Sequence, residues 1–281
     1  MADQPESPLE RMLRLYAEGD LSAAIAAGEA SIVDEPGDVE LRERVVAMLV
    51  EAAQHDPAPE HLARALEHLN HALSIEPARS RCLEIRANVL NLLGYRSGDD
   101  DSMAAVLYNA ALNDFRALLS MEELEEEDRE GWRIEAARAA FLAMRHGDPA
   151  TADYGLVARL YAEADSEGLL PADWFFRGLT HRDLAARLED PRDRRTAAAC
   201  FLRAIESGSY PVEGRYFAAD ELLQLEAPTE QEMAQSTHLI EELESTVAGD
   251  SFLLRSLKQR LQLRRDLLGK GPSLEAEKDD A

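Results

Sequence analysis

The 281-residue sequence predicts an all-α fold, an α-solenoid of about six or seven stacked antiparallel helical hairpins. Segments of similar layout recur along the chain, and glycine and proline interrupt helical apolar spacing between them. No segment sustains the apolar–polar alternation expected of a half-buried strand. Because a single hairpin cannot bury both of its faces, such repeats are expected to stack on one another.

The clearest internal repeat relates residues 158–178 to residues 198–218, forty residues later. The shift aligns one glycine and one proline of each copy, namely Gly168 and Pro171 with Gly208 and Pro211. Each copy predicts a helix that ends at the glycine in a left-handed conformation, then a turn that contains the proline, then a second helix. Each copy is therefore half of a larger repeated array.

The N-terminal part of the chain contains a second repeat, with a shift of forty-one residues. One helix is predicted to start at Pro8 and to end before Gly19, and a second helix to span residues 22–34. The shift aligns Ala24 of this hairpin with Ala65 of the segment that follows. The first hairpin is therefore expected to have a copy as well.

Three stretches carry aromatic, small and proline residues in a recurrent pattern. In YAEGDLSAAIAAGEASIVDEP these are Tyr16, Gly19, Ala24, Ile25 and Pro36. In LARALEHLNHALSIEP they are Ala65, Ala72 and Pro77, and in LYAEADSEGLLPADWFFRGL they are Tyr161, Ala164, Gly168 and Ala172. The first two stretches resemble the tetratricopeptide repeat, and the third resembles its Sel1-like variant. The resemblance covers about residues 9–220 and implies a degenerate array of helical hairpins.

The spacing of small residues differs from that of the family. The residues expected to mark helix contacts are Ala24, Ala65, Ala110, Ala152 and Ala197, at intervals of 41 to 45 residues. The usual tetratricopeptide period is about 34 residues. We expect the extra length to lie in connectors rich in turn-forming residues, over residues 55–59, 95–101 and 189–193.

Four segments are predicted along the chain. Residues 1–7 form a polar lead, residues 8–227 the repeat array, residues 228–268 a pair of C-terminal helices, and residues 269–281 a disordered polar tail. The last helix, from Phe252 to Leu268, has a leucine face and several basic residues. It is expected to cap the array with a strongly charged outer face.

The charge balance limits the classes of partner. Thirty basic and fifty-five acidic side chains give a formal net charge of −25, which repels nucleic acids and anionic membrane surfaces. Partners are therefore expected to be proteins or peptides with basic or apolar surfaces. The N-terminus lacks the features of a signal peptide, which predicts a soluble, cytoplasmic protein and leaves open secretion by a signal-independent route. Cys82 and Cys200 are expected to be buried free thiols.

No motif for enzymatic chemistry is recognisable. The sequence contains no glycine-rich phosphate loop, no GxSxG and no HExxH, so neither an enzyme nor a bound cofactor or metal is predicted. One alternative remains in a cluster of histidines, His55, His61, His68 and His71, of which two are three residues apart on a predicted helix. Those two imidazoles could contribute to a metal site, which would need further ligands.

The family resemblance implies a binding surface. In such arrays the first helices of successive hairpins line a concave groove that holds an extended partner segment. Family alignment puts three arginines at one groove-facing position, with a tryptophan and a histidine beside the last; these are Arg11, Arg86, Arg177, Trp174 and His181. Guanidinium groups suit carboxylates, although the alternative is that they balance nearby acids of the chain. The family's carboxylate clamp also needs asparagines, and Leu15, Leu90 and His181 stand there instead.

The predicted function is therefore that of a protein-interaction scaffold or adaptor. A chaperone or regulatory subunit that shields a basic client is the alternative, and an enzyme or metal-binding protein built on the histidine cluster is the second alternative. The acidic run over residues 122–130 and the basic C-terminal helix are two other candidate surfaces.

Overall fold

The computed structural model describes residues 6–56, 58–122, 125–164, 168–246 and 251–269. Within these ranges the secondary structure consists of thirteen α-helices without a strand. The chain divides into two compact units, residues 1–152 and residues 153–281, and each unit is described by itself. The predicted all-α class is confirmed.

Unit 1 contains seven helices, each packed chiefly against its neighbours in sequence. They are α1 (Pro8–Ala17), α2 (Leu21–Asp34), α3 (Val39–His55), α4 (Pro59–Ile75), α5 (Ser80–Arg96), α6 (Asp101–Leu119) and α7 (Glu126–His146). Polar residues before the helices fix where several begin. Ser7 and Glu10 form a capping box at α1, and the side chains of Asp20, Asp38 and Asp100 accept hydrogen bonds from the first turns of α2, α3 and α6.

Unit 2 contains six helices. They are α8 (Tyr154–Glu163), α9 (Pro171–Leu188), α10 (Pro191–Glu206), α11 (Pro211–Leu223), α12 (Glu230–Thr246) and α13 (Phe252–Gly269). Proline occupies the first turn of α9, α10 and α11, where its missing N–H costs nothing. Successive helices again pack as neighbours, and α13 packs on both α11 and α12.

Of the two helix ends predicted at glycines, one is confirmed and one is wrong. Gly208 follows α10 and has φ of +85°, as expected for a left-handed helix end. The stop predicted at Gly168 is wrong, because α8 already ends at Glu163. Ala164, which follows it, has extended backbone with ψ of 142°, and residues 165–167 lie outside the described ranges.

The predicted repeat spacing is corrected in two respects. Ala24, Ala65 and Ala197 are fully buried, but Ala110 is only partly buried and Ala152 precedes α8 rather than lying in a helix. At the connectors predicted over residues 55–59, 95–101 and 189–193, the extra length lies in the helices, which extend into all three segments. Helices α3, α4 and α5 have 17 residues each and α7 has 21, whereas a 34-residue unit leaves roughly 12–15 for each of its two helices.

The C-terminal helix departs from the expected cap. Leu254, Leu257 and Leu261 are buried, as predicted for its leucine face. The opposite side carries exposed apolar side chains rather than only charges, as the exposed Leu263 demonstrates. The remainder of the predicted lead and tail, residues 1–5 and 270–281, lies outside the described ranges.

Both cysteines lie in the protein interior. Cys82 and Cys200 are free and buried, as predicted. Burial raises the pKa of Cys82 to about 12, with a further contribution from Glu43, and burial raises the pKa of Cys200 to about 11. Both groups therefore stay protonated at neutral pH.

None of the described helices combines the length and apolar character needed to cross a membrane.

The core of unit 2 is closed by an aromatic cluster that requires a glycine. Phe175 stacks on Tyr210 with ring centroids 4.1 Å apart, and Phe201 lies 5.3 Å from Phe217. A Cβ atom on Gly178 would lie 2.7 Å from the ring of Phe201, which is fully buried. Helices α9 and α10 can approach this closely only because residue 178 has no side chain.

Replacing Gly178 by alanine is therefore expected to destabilise the protein by about 1–3 kcal/mol, through overpacking against Phe201. Gly131→Ala in α7 is the matched control, because nothing lies within 4 Å of the added methyl group. The control should gain about 0.5–1 kcal/mol from helix propensity. Denaturant unfolding of both variants measures the difference, and equal stabilisation in both would contradict the close approach.

Candidate functional site

The five predicted groove residues fall in different units. Arg11 and Arg86 belong to unit 1, whereas Trp174, Arg177 and His181 belong to unit 2. Arg11 is exposed on α1. The two sets are therefore considered separately, and only the second contains neighbouring side chains.

Arg86 is engaged within the chain. From α5 it donates through Nε and Nη2 to the two carboxylate oxygens of Asp114 on α6, at 2.8 and 2.7 Å. Its Nη1 also donates to Oδ1 of Asn70 at 2.9 Å. Asp114 is buried, so a partner's carboxylate would have to displace a buried anion. At this position the geometry favours the alternative that the arginine balances an acid of the chain.

Trp174, Arg177 and His181 form one row on α9, which we call the α9 row. Their spacing of three and four residues puts them on one side of the helix. The guanidinium of Arg177 lies over the Trp174 ring, 5.5 Å from its centroid. Nδ1 of His181 lies 2.8 Å from Oδ1 of Asp193 on α10, which holds that imidazole in place.

Arg177 differs from Arg86 in its hydrogen bonding. Its Nε is buried and has no hydrogen-bond partner among the described residues. A buried donor without an acceptor costs about 1–3 kcal/mol. Trp174 is only partly buried and packs against the core of unit 2, so one part of the indole stabilises the fold while the other remains accessible.

The histidine cluster does not assemble into a site. His68 lies 3.2 Å from Nη1 of Arg42 and 3.4 Å from Glu29, while His61 lies 3.7 Å from Asp56. His55 and His71 are exposed. Over the ranges that the structure describes, no group of three or more His, Cys, Asp or Glu side chains is arranged to hold a metal ion.

Some residues of the two other candidate surfaces are paired within the chain. In the acidic run, Arg133 pairs with Glu126 and Glu130, while residues 123–124 lie outside the described ranges. The basic residues of α13 contact unit 2 itself: Lys258 pairs with Glu244, Arg260 with Asp220, Arg264 donates to the carbonyl of Leu223, and Arg265 donates to Thr237. These contacts favour a structural role for the basic side of α13.

Unit 2 also contains an apolar pocket that the sequence did not predict, here called the α11 pocket. Its volume is about 530 Å³, within the range of natural ligand pockets. The walls are Val212, Tyr216 and Phe217 of α11, Leu243 of α12, and Leu253 and Leu254 of α13, with Glu213 as a charged residue of the lining. The adjacent aromatic residues at 216 and 217 were the available signal, but their pairing with α13 depends on tertiary packing.

A buried glutamate lies on α11, one of the helices that line the pocket. Glu221 is 1% exposed, and its Oε2 accepts a hydrogen bond from Nη1 of Arg194 at 3.1 Å. Burial raises the pKa of Glu221 to about 7, although Arg194 acts in the opposite direction. Burial likewise raises the pKa of the neighbouring Asp220. Desolvation therefore outweighs the attraction of the arginines at both carboxyls.

The helices define an all-α protein of successive helical hairpins, and solved structures similar to the chain include a tetratricopeptide repeat protein. No protein-family model matches the sequence, and no curated protein matches it. The chain is similar to the crystal structure of a tetratricopeptide repeat protein from Parabacteroides merdae, with 16% identity and a TM-score of 0.38. The match covers 92% of this chain and 98% of that chain. Membership of the tetratricopeptide or Sel1-like family stays a prediction.

Removal of the Arg86 side chain should destabilise unit 1, because it leaves the buried Asp114 without its cation. Arg86→Ala is expected to lower the free energy of unfolding by about 1–3 kcal/mol. Arg81→Ala, at an exposed position of the same helix, should change it by less than about 0.5 kcal/mol. Wild-type stability in the Arg86 variant would show that this arginine is available to a partner.

Stability should also depend on the ionisation of Glu221. A raised folded-state pKa stabilises the protein below the unfolded value of 4.5, and this contribution is lost as the pH rises through about 7. The free energy of unfolding should therefore fall by about 1–3 kcal/mol more in wild type than in Glu221→Gln between pH 5 and 8. Glu206→Gln, at an exposed site, is the control. Parallel pH profiles for wild type and Glu221→Gln would refute the raised pKa.

Proposed function

We propose that the protein is an interaction scaffold that binds a carboxylate-bearing segment of a protein partner on the α9 row. The observation that carries the proposal is the Nε of Arg177, which is buried without a hydrogen-bond partner among the described residues. Arg177 as a whole is only partly buried, so a carboxylate from a partner can approach the exposed part of the guanidinium and form a charge-assisted hydrogen bond with it. The chain itself satisfies Arg86 but not this group.

The neighbours of Arg177 suit such a ligand. The indole of Trp174 holds the guanidinium in a cation–π arrangement and offers apolar area beside it. Tryptophan and arginine are the residues that most often dominate protein interfaces. Asp193 orients His181 at the far end of the row, so two of the three side chains are fixed before a partner arrives. Such preorganisation lowers the entropic cost of binding.

The α11 pocket is a second candidate surface for the same function. Its aromatic and leucine walls suit one or two large apolar side chains of a partner segment. Leu253 is 51% exposed at its wall, so a glutamate at that position would introduce a charge into the pocket without entering the core.

Selection from a random peptide library tests the proposal, because it assumes no particular ligand sequence. A display library of random peptides is enriched on the immobilised full-length protein, and the enriched peptides are measured by fluorescence polarisation. We expect peptides with Asp, Glu or a terminal carboxylate beside an apolar residue. Arg177→Ala should weaken them by about 5- to 150-fold, the equivalent of about 1–3 kcal/mol.

The controls separate the two surfaces. Arg192→Ala removes an exposed arginine of the same unit, whose partner is Asp190, and should leave the affinity unchanged. If Leu253→Glu no longer binds the peptides while Arg177→Ala still binds them, the binding site is the α11 pocket and not the α9 row. No enrichment, or equal affinities for the Arg177 and Arg192 variants and Leu253→Glu, would overturn the proposal.

A further inference from the structure

Asp193 determines which nitrogen of His181 carries the proton. Nδ1 of His181 lies 2.8 Å from Oδ1 of Asp193, and an ionised carboxylate can only accept a hydrogen bond. Nδ1 is therefore the donor of this bond. In a neutral imidazole the other nitrogen then carries no proton and is an acceptor. The contact with α10 thus leaves Nε2 of His181 as a hydrogen-bond acceptor.

This acceptor lies at the surface. The side chain of His181 is 13% exposed. Nε2 makes no hydrogen bond with the residues that the structure describes, and it is not one of their buried polar atoms without a partner. Solvent therefore reaches it. Arg177 lies one turn earlier on the same side of α9, so a segment that follows the α9 row meets both groups.

The two groups require different chemistry from a ligand. We propose that the partner segment places a hydroxyl or amide side chain against Nε2 of His181, two residues from the carboxylate that contacts Arg177. The inference rests on the proposed function, because it specifies the ligand of the same row. A second carboxylate at His181 would bring its lone pairs against the lone pair of Nε2. The row therefore distinguishes an anion at one position from a neutral hydrogen-bond donor at the next.

The spacing of the row determines the spacing in the ligand. Arg177 and His181 are four residues apart, which is about 6 Å along the helix axis. Side chains two residues apart in an extended segment point to the same side, about 6.6 Å from each other. Trp174 lies about 4.5 Å from Arg177 in the other direction, so an apolar side chain is expected on that side of the acid. The expected pattern is apolar–x–acid–x–donor, in either chain direction.

A display library with one fixed central glutamate and random residues elsewhere tests this pattern. It is selected on the immobilised full-length protein at pH 8, where imidazole is ordinarily neutral. We expect Ser, Thr, Asn or Gln to be enriched two residues from the glutamate. In fluorescence polarisation, replacing that residue by Ala should weaken binding about 2- to 10-fold, and replacing it by Asp should weaken it further.

Variants of the protein separate this inference from the proposed function. His181→Phe keeps a planar ring but removes the acceptor, so peptides with Ser and with Ala should bind it equally. His238→Phe, at an exposed histidine of α12, is the matched control and should keep the wild-type preference. If binding depends on Arg177 but wild type binds the Ser and Ala peptides equally, the proposed function stands and this inference is overturned. Enriched peptides whose binding does not depend on Arg177 would overturn both.

The tautomer can be measured in the free protein, without any peptide. Long-range correlation of imidazole protons with nitrogens by nuclear magnetic resonance at pH 8 should place the proton of His181 on Nδ1. Asp193→Ala removes the acceptor of that proton and should give a mixture of the two tautomers. A proton on Nε2 in wild type would overturn the inference, and this result does not depend on whether any variant folds.

Discussion

Three buried acidic residues are paired with arginines of other helices, and these pairs constrain the packing. Glu43 of α3 binds Arg79 at the start of α5, Asp114 of α6 binds Arg86 of α5, and Glu221 of α11 binds Arg194 of α10. All three acidic residues are at most 5% exposed. For Glu43 and Asp114, an unpaired charge at such depth would cost several kcal/mol, so each of these pairs is satisfied only when the two helices meet in the native register. Apolar contacts between alanine-rich helices specify that register less strictly.

This constraint separates structural arginines from those that can bind a partner. Both carboxylate contacts of Arg86 are made with Asp114 of the same chain. No ligand is therefore needed to explain an arginine at this position. At Arg177 the guanidinium contacts an indole instead of an acid. The two arginines at equivalent predicted positions therefore differ in chemistry, because a buried carboxylate of the next helix binds Arg86, whereas Nε of Arg177 has no acceptor among the described residues. The proposed function rests on that difference.

The sequence predicted what local signals determine. Pro8 starts a helix as predicted, because the effect of proline on the backbone reaches only a few residues, whereas Pro171 and Pro211, predicted to lie in turns, are the first residues of α9 and α11. The ion pairs could not be predicted in this way, since their members are 36, 28 and 27 residues apart and meet only through packing. The α11 pocket could not be predicted either, because its walls come from three helices, α11, α12 and α13, that meet only through packing. The α9 row was predictable from helical spacing. The missing hydrogen-bond acceptor of Arg177 was not predictable, because it depends on which side chains of other helices lie nearby.

The dynamics of the two guanidinium groups test the central distinction most directly. Nuclear magnetic resonance of protein with labelled arginine side chains reports rotation about the Nε–Cζ bond of each residue. Arg86, held through Nε and both terminal nitrogens, should rotate slowly and give separate signals for its terminal NH groups. Arg177, which has no such ion pair among the described residues, should rotate faster and give averaged signals. Slow rotation at Arg177 in the free protein, or fast rotation at Arg86, would contradict the account.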